Sequence, residues 1–169
     1  ALLSDAYDSR YFLRSRNSFD SLFINGIPSI SSYQGWYAKG LYIKDTDSSQ
    51  ILAGGVDLFF DESGTGNKFN RMDMQKLNLH VDFHDIVSNP LDPNKIYLAT
   101  DGGIYRSDHF SHSFYSCNGG YTCSQFYAGT FASQFKNIAI GGLQDNHSAI
   151  YTGSKEWRNT HFGDGVANA

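Results

Sequence analysis

Short runs of alternating apolar and polar residues, separated by turn residues, dominate this sequence. The clearest lie between Phe83 and Phe114, where two such runs, 96–100 and 104–107, flank Asp101-Gly102-Gly103. Alternation with a period of two is typical of a half-buried strand, and an Asp-Gly pair between two runs is typical of a tight turn. A sustained 3.6-residue period, the mark of an amphipathic helix, is not evident. The pattern predicts an all-β fold.

The pattern also repeats along the chain. Residues 52–59 align with residues 98–105 at an offset of 46 (98 − 52), and residues 138–151 form a third copy with a longer glycine turn. A period in the forties with several strands per copy is the signature of propeller blades. We therefore predict a β-propeller segment of about three to four blades, each a four-stranded antiparallel sheet that needs stacked neighbours to bury both faces.

Turn signals divide the 169 residues into five segments. Residues 1–33 are predicted to end a preceding blade, residues 34–78, 79–124 and 125–160 to form one blade each, and residues 161–169 to start a following blade. Because propellers typically close with about four to eight blades, we expect a larger propeller, completed by the remainder of the protein or by other chains of an extracellular assembly.

Composition narrows the classes of function. The formal net charge is −4 and there is no basic block, which disfavours nucleic acid and anionic membranes as partners. The sequence shows neither a signal peptide nor an apolar run of membrane-spanning length. Cys117 and Cys123 bracket a short glycine-containing loop. They either form a disulfide in an oxidising compartment or remain two unpaired thiols.

Several motifs occur in an order that resembles a known family. They are Gln34-Gly35-Trp36-Tyr37, His80-Val81-Asp82-Phe83-His84, Asp101-Gly102-Gly103-Ile104-Tyr105-Arg106-Ser107, Gln125-Phe126-Tyr127, Gly141-Gly142-Leu143-Gln144-Asp145-Asn146 and Gly163-Asp164-Gly165. The set resembles secreted bacterial propellers of the neuraminidase-repeat and sortilin-like type, many of them Bacteroidetes surface proteins. Xyloglucanase-type glycoside hydrolases are more distant relatives. The resemblance covers about residues 34–165 and implies a secreted or cell-surface location.

The chain departs from that family in two places. The neuraminidase repeat carries Ser-x-Asp-x-Gly-x-Thr-Trp at the turn into its outer strand; here Ser107 is kept, while His109, Ser111 and Phe114 replace the Asp, Gly and Trp. Because this turn box is a folding element, its loss says little about activity. His147 stands where relatives often have Gly after Gln-Asp-Asn, which places a bulky ring in a tight turn.

One set of side chains suggests a metal site. If His80 to His84 form a strand, then His80, Asp82 and His84 project from the same face. Two imidazoles and a carboxylate are a suitable ligand set for zinc or another divalent ion. The alternative is a hydrogen-bonded cluster that ties the inner strand to its neighbours, as buried polar groups in proteins usually are.

Carboxylates at glycine turns form a second set, with Asp101, Asp145 and Asp164 as candidate catalytic residues. Paired acids across a cleft are what glycoside hydrolysis needs. Asp and Asn also bond their own backbone in such turns, so a purely structural role is the alternative. Gln144 and Asn146 flank Asp145 and are candidate ligand-binding residues, because so polar a loop is expected to stay at a surface. Such loops also suit calcium.

Aromatic residues form the third set. Trp36, Tyr37, Tyr127 and Trp157 are candidates for stacking on sugar rings, and their alternative is burial between sheets. Taken together, the sequence favours an extracellular or cell-surface binding or scaffold module that recognises glycan. A sialidase- or xyloglucanase-like glycoside hydrolase acting through carboxylates at the propeller mouth is the alternative. A divalent metal ion, calcium or zinc, is the only cofactor that the residues suggest.

Overall fold

The computed structural model describes residues 2–4, 7–15, 20–121, 124–161 and 163–165. The chain divides into two compact units, Ala1–Gly119 and Gly120–Ala169. The described residues form β-strands joined by turns, with one short helix. The elements are β1 Leu2–Ser4, β2 Ser9–Arg14, β3 Phe23–Gly26, β4 Gly40–Ile43, β5 Ile51–Gly54, β6 Leu58–Asp61, β7 Asn70–Arg71, α1 Met74–Leu77, β8 Phe83–Asn89, β9 Asp92–Thr100, β10 Gly103–Ser107, β11 Tyr115–Ser116, β12 Phe126–Phe131, β13 Ala139–Leu143, β14 Ser148–Tyr151 and β15 Arg158–His161.

Each sheet pairs strands that follow one another in the chain, and every pairing is antiparallel. The first sheet contains β1–β3, and the second, third and fourth sheets contain β4–β7, β8–β11 and β12–β15. The first three sheets belong to the first unit and the fourth sheet to the second unit. The predicted all-β fold with four-stranded antiparallel sheets is confirmed.

The second sheet buries both of its faces. Side chains along β5 point alternately to the two faces, and all of them are buried. On one face Ile51 and Ala53 join the apolar cluster that includes Phe12 of the first sheet. On the other face Leu52 joins the cluster that includes Phe83 of the third sheet. Consecutive residues of one strand therefore contribute to two different cores, which is how stacked sheets bury themselves.

Glycine sets the distance between the second and third sheets. Gly54 and Gly40 are paired across β4 and β5 and face β8. A Cβ atom on Gly54 would lie 2.5 Å from Phe83 Cβ, and one on Gly40 would lie 2.9 Å from Ile86 Cγ1. The strand β8 can approach this closely only because neither glycine carries a side chain.

Phe110 links the outer parts of these two sheets. It lies in the turn after β10, is buried, and has a positive φ of 62°. Its ring centroid lies 6.2 Å from that of Tyr42 and 6.0 Å from that of Phe60, both in the second sheet. The Lys44 ammonium lies 4.9 Å above the same ring. A side chain from the turn after β10 thus packs against two strands of the second sheet.

The turns after β6 and β10 are closed by equivalent side chains. Asp61 is fully buried and accepts hydrogen bonds from the backbone N–H groups of Ser63, at 2.7 Å, and Gly66, at 2.7 Å. Ser107 is also fully buried and accepts from the N–H of His109 at 3.1 Å. The turn box therefore keeps its folding role although its sequence has changed.

The segment between the second and third sheets contains α1. Asp73 caps this helix by accepting from the Lys76 N–H at 3.0 Å, and Asn78 ends it with a left-handed φ of 51°. Because the sequence shows no sustained 3.6-residue period, it does not predict this helix. Within the described residues, no helix has the length and apolar character needed to cross a membrane.

In the second unit, β12–β15 form the fourth sheet, and its last strand includes His161. His161 therefore belongs to this sheet, and the predicted following blade stays a prediction; residues 162 and 166–169 lie outside the described part. Gly165 donates to the Leu143 carbonyl at 3.0 Å, and His147 donates to the Gly163 carbonyl at 3.0 Å. These bonds hold the 163–165 segment against the turn after β13.

Candidate functional site

Asp101 lies in the turn between β9 and β10, and this turn is rigidly held. The Thr100 hydroxyl accepts from the Gly102 N–H at 3.1 Å. The Asn118 amide donates to the Gly102 carbonyl at 2.8 Å, while its oxygen accepts from the Ile104 N–H at 2.9 Å. Local sequence patterns do not single out Asn118, because its partners lie 14 and 16 residues away. The Asp101 carboxylate is thus fixed on a well-defined turn.

Two side chains from other elements converge on Asp101. The Tyr37 hydroxyl, from the segment before β4, donates to its two carboxylate oxygens at 3.0 and 3.2 Å. His84 Nε2, on β8, lies 2.6 Å from Oδ1. The Tyr37 and His84 rings also meet edge to face, with centroids 4.8 Å apart. The carboxylate is therefore oriented by neighbours rather than only by its own turn.

Asp82 completes what we call the Asp101 cluster: Tyr37, Asp82, His84 and Asp101. Asp82 is buried, and one of its carboxylate oxygens lies within 4.8 Å of one from Asp101. Its backbone has a positive φ of 64°, which is unusual for a residue other than glycine. The Asp82 N–H donates to the Val56 carbonyl at 3.0 Å and fixes that conformation.

The predicted strand from His80 to His84 is wrong in its first half. The strand β8 begins at Phe83, and the left-handed Asp82 breaks the alternation that would place His80, Asp82 and His84 on one face. His80 instead lies against Gly102, where an added Cβ would collide with its side chain. The metal site predicted from His80, Asp82 and His84 is therefore not supported by a shared strand face, and it stays a prediction.

Trp36 lies beside the cluster at the surface. Its ring centroid is 5.4 Å from that of Tyr37, and 71% of the residue is exposed. Burial between sheets, the alternative interpretation for this side chain, is therefore wrong. An exposed indole next to a fixed carboxylate offers an apolar ring face and a hydrogen-bond acceptor side by side.

In the second unit, the carboxylate of one predicted acid, Asp164, bonds within the loop that contains the predicted residues. Asp164 Oδ1 accepts from the Asp145 N–H at 2.9 Å, and the Asn146 amide donates to the Gln144 carbonyl at 3.0 Å. Asp145 and His147 both have positive φ, at 54° and 72°. His147 thus adopts the left-handed conformation that favours glycine. The catalytic and ligand-binding roles of Asp145, Asp164, Gln144 and Asn146 stay predictions.

The remaining candidates in the second unit are aromatic. Tyr127 and Trp157 are both exposed, and Trp157 also packs against Phe126 and Tyr151 with centroid separations of 5.7 and 5.4 Å. Their predicted roles in ligand binding stay predictions. Cys117, in the first unit, is exposed, and its predicted partner Cys123 lies outside the described residues, so the disulfide also stays a prediction.

One acid at a glycine turn is clearly structural. Asp57 makes a two-point ion pair with Arg71, with N···O distances of 2.8 and 2.9 Å. The hydrogen bond and the charge of Asp57 raise the pKa of the Arg71 guanidinium. This pair joins β7 to the turn before β6. The ion pair with Arg71 thus explains Asp57, whereas the Asp101 carboxylate bonds to a tyrosine and a histidine.

Comparisons with solved structures identify the architecture. The structure is similar to the crystal structure of the GH74 xyloglucanase from Xanthomonas campestris, with a TM-score of 0.54 and 15% sequence identity over 98% of this chain. The fold is propeller-like. An ancestral GH74 enzyme aligns with a TM-score of 0.44 and 12% identity over 95% of this chain and 23% of that one.

These comparisons reach the fold and no further. The chain spans 29% of the length of the Xanthomonas xyloglucanase. No family model matches the sequence, and no curated protein matches it. The resemblance to neuraminidase-repeat and sortilin-like propellers therefore stays a prediction, while the predicted likeness to xyloglucanase-type propellers is confirmed at the level of fold.

Proposed function

We propose that this protein is a carbohydrate-binding module whose Asp101 cluster accepts hydrogen bonds from sugar hydroxyls while Trp36 stacks on a sugar ring. The observation that carries the proposal is the placement of the exposed Trp36 ring beside Tyr37, whose hydroxyl orients the Asp101 carboxylate. Ligand sites typically combine aromatic surface with a few polar groups in fixed positions. Sugars present both an apolar ring face and hydroxyl donors.

The charge of the cluster indicates which sugars it takes. Asp82 and Asp101 bring two carboxylates within 4.8 Å of each other. A sugar that carries its own carboxylate would add a further like charge at short range, which disfavours binding. We therefore propose neutral glycans rather than sialylated or uronic-acid glycans.

Binding is tested by titrating the full chain with xyloglucan and cello-oligosaccharides in a calorimeter, with sialyllactose as the anionic probe. The Trp36→Ala and Asp101→Ala variants are expected to weaken binding of the neutral probes about tenfold or more each. Phe131→Ala removes an exposed aromatic ring from the second unit and serves as the matched control, with affinity unchanged. A wild-type chain that binds none of the neutral probes would refute the proposal.

Hydrolysis is the second candidate, and one observation favours it. Retaining glycosidases place two carboxyl groups about 5–5.5 Å apart, and Asp82 and Asp101 approach that spacing. In this case Asp82→Asn and Asp101→Asn would each lower the release of reducing ends from xyloglucan about a hundredfold or more. Binding without any product release by the wild-type chain would exclude this candidate.

The location proposed for the protein is the cell exterior or the cell surface, where it works with the remainder of a larger propeller or with other chains. The support is the resemblance of the ordered motifs to secreted bacterial propellers. Fractionation of cells that produce the full-length protein, followed by protease accessibility of the intact cells, tests this location. Protection of the protein inside intact cells would contradict it.

A further inference from the structure

A loop that precedes β4 displays aromatic side chains next to the Asp101 cluster. We call residues 30–38 the aromatic loop. Tyr33 is 80% exposed and Trp36 is 71% exposed. Tyr7, which is 62% exposed, joins them because its carbonyl accepts from the Gly35 N–H at 3.0 Å. Large aromatic side chains exposed in a row on one loop are unusual, since they normally bury most of their surface.

The aromatic loop is anchored in the protein interior. Its end residues Ile30 and Ala38 are fully buried. The Ser31 hydroxyl, also fully buried, bonds to the Ala38 carbonyl at 3.4 Å, and the Ser31 N–H donates to Asp8 Oδ1 at 3.0 Å. A loop closed at its base in this way presents its rings without losing much conformational entropy when a ligand binds.

The backbone conformation turns Tyr33 away from the interior. Ser32 and Tyr33 have positive φ values of 42° and 69°. The left-handed region is costly for a bulky residue and persists only where the surrounding structure imposes it. Here the Gln34 N–H donates to the Ser31 carbonyl at 2.8 Å and closes the turn that contains both residues. Exposure of Tyr33 is thus a property of the folded loop rather than of a loose chain end.

The aromatic loop leads directly into the Asp101 cluster. Tyr7 is joined to Gly35 through the backbone, Trp36 follows in sequence, and Trp36 contacts Tyr37 within the Asp101 cluster. A single sugar on the cluster could contact Trp36, whereas Tyr33 lies three residues earlier on the loop and Tyr7 lies on the segment bonded to Gly35. We propose that the aromatic loop extends the carbohydrate site, so that its ligand is an oligosaccharide chain held through several consecutive sugar units.

This inference rests on the proposed function, and its test separates the two. The wild-type chain is titrated calorimetrically with cellobiose, cellotetraose and cellohexaose, and with the corresponding xyloglucan oligosaccharides. We expect the affinity for the longest probe to exceed that for the disaccharide about tenfold or more, because each further unit reaches another ring.

Variants of Tyr33 locate the effect. Tyr33→Ala is expected to lower hexasaccharide affinity about fivefold while disaccharide affinity stays unchanged, and Tyr33→Trp is expected to restore the length dependence. Phe131→Ala, in the second unit, is the control for loss of an exposed ring. A chemical denaturation curve for each variant shows whether it is folded.

The outcomes are distinct. Equal affinity for the disaccharide and the hexasaccharide would overturn the extended site but leave the proposed carbohydrate binding intact. A length dependence that is undiminished in folded Tyr33→Ala would also overturn the assignment of the extended site to the aromatic loop. Failure of every oligosaccharide to bind the wild-type chain would overturn both proposals.

Discussion

Asp61 and Ser107 lie 46 residues apart (107 − 61) and accept the same backbone hydrogen bond, from the residue two positions later. The donor is Ser63 at 2.7 Å in one turn and His109 at 3.1 Å in the other. Both acceptors are fully buried. The two turns are therefore copies of one folding element in which a carboxylate and a hydroxyl play the same part.

Removing the Asp61 carboxylate is expected to destabilise the first unit more than removing the Ser107 hydroxyl. Asp61→Ala leaves the buried Gly66 N–H without its acceptor, which costs about 2–3 kcal/mol, whereas Ser107→Ala costs about 1 kcal/mol. Urea denaturation measures both free energies of unfolding. The exposed neighbour Glu62→Ala is the control; equal losses for Glu62→Ala and Asp61→Ala would contradict the capping role.

Phe110 is expected to be a major contributor to the stability of the first unit. Phe110→Ala removes the ring that contacts Tyr42 and Phe60 and leaves a cavity, so we expect a loss of about 3–4 kcal/mol in the free energy of unfolding. Thermal and urea denaturation measure it. Leu91→Ala is the control because Leu91 is 94% exposed and should change stability little. A loss below about 1 kcal/mol for Phe110→Ala would show that the ring is not a structural link.

The glycine at the end of β5 is expected to tolerate no side chain. Gly54→Ala would place a Cβ atom 2.5 Å from Phe83 Cβ, and relieving that clash costs about 1–3 kcal/mol. Gly26→Ala is the matched control, since nothing lies within 4 Å of the atom it would add. Urea denaturation of both variants checks the difference; equal stability of the two would mean that the sheets can separate freely.

The carboxyl group of Asp47 is expected to have a pKa below its ordinary value. Hydrogen bonds from the Ser49 side chain and backbone lower the pKa of Asp47 from 3.8. A lowered pKa in the folded state means that the stabilisation is present above the pKa of the unfolded chain and is lost as the pH falls through the folded value. NMR titration of the carboxyl carbon should therefore show a midpoint below 3.8.

The hydroxyl of Ser49 provides the test of that cause. Ser49→Ala should move the Asp47 midpoint back towards 3.8, because it removes the hydrogen bond from the Ser49 hydroxyl, which lowers the pKa most. Ser48→Ala is the control, since the Ser48 hydroxyl accepts from Arg14 rather than contacting Asp47. A midpoint unmoved by Ser49→Ala would assign the lowered pKa to another group.

The sheets could be predicted from the sequence because their signals are local. Alternation and Asp-Gly turns mark strands and their ends within a few residues, and the 46-residue offset shows that the unit repeats. The short helix α1 could not be decided, because a four-residue element leaves no periodicity to detect. The strand predicted through Asp82 was wrong because neither this residue nor its neighbours in sequence indicate that the backbone is left-handed there.

The candidate site was predictable only in part. Asp101 and His84 were singled out for their chemistry, but their bond was not, and the Tyr37 hydroxyl reaches Asp101 across 64 positions of sequence. Such contacts depend on how neighbouring sheets stack, and local sequence patterns do not predict that stacking. The exposure of Trp36 was likewise undecided, since an aromatic residue beside a strand fits a core equally well.

The anchoring of Ser31 by Asp8 separates two tasks within one short segment. Buried residues hold the conformation of the segment, and its exposed rings do not contribute to that anchoring. Randomising positions 33 and 36 should therefore yield proteins that still fold. The segment thus joins a fixed, buried base to surface positions whose side chains can be exchanged.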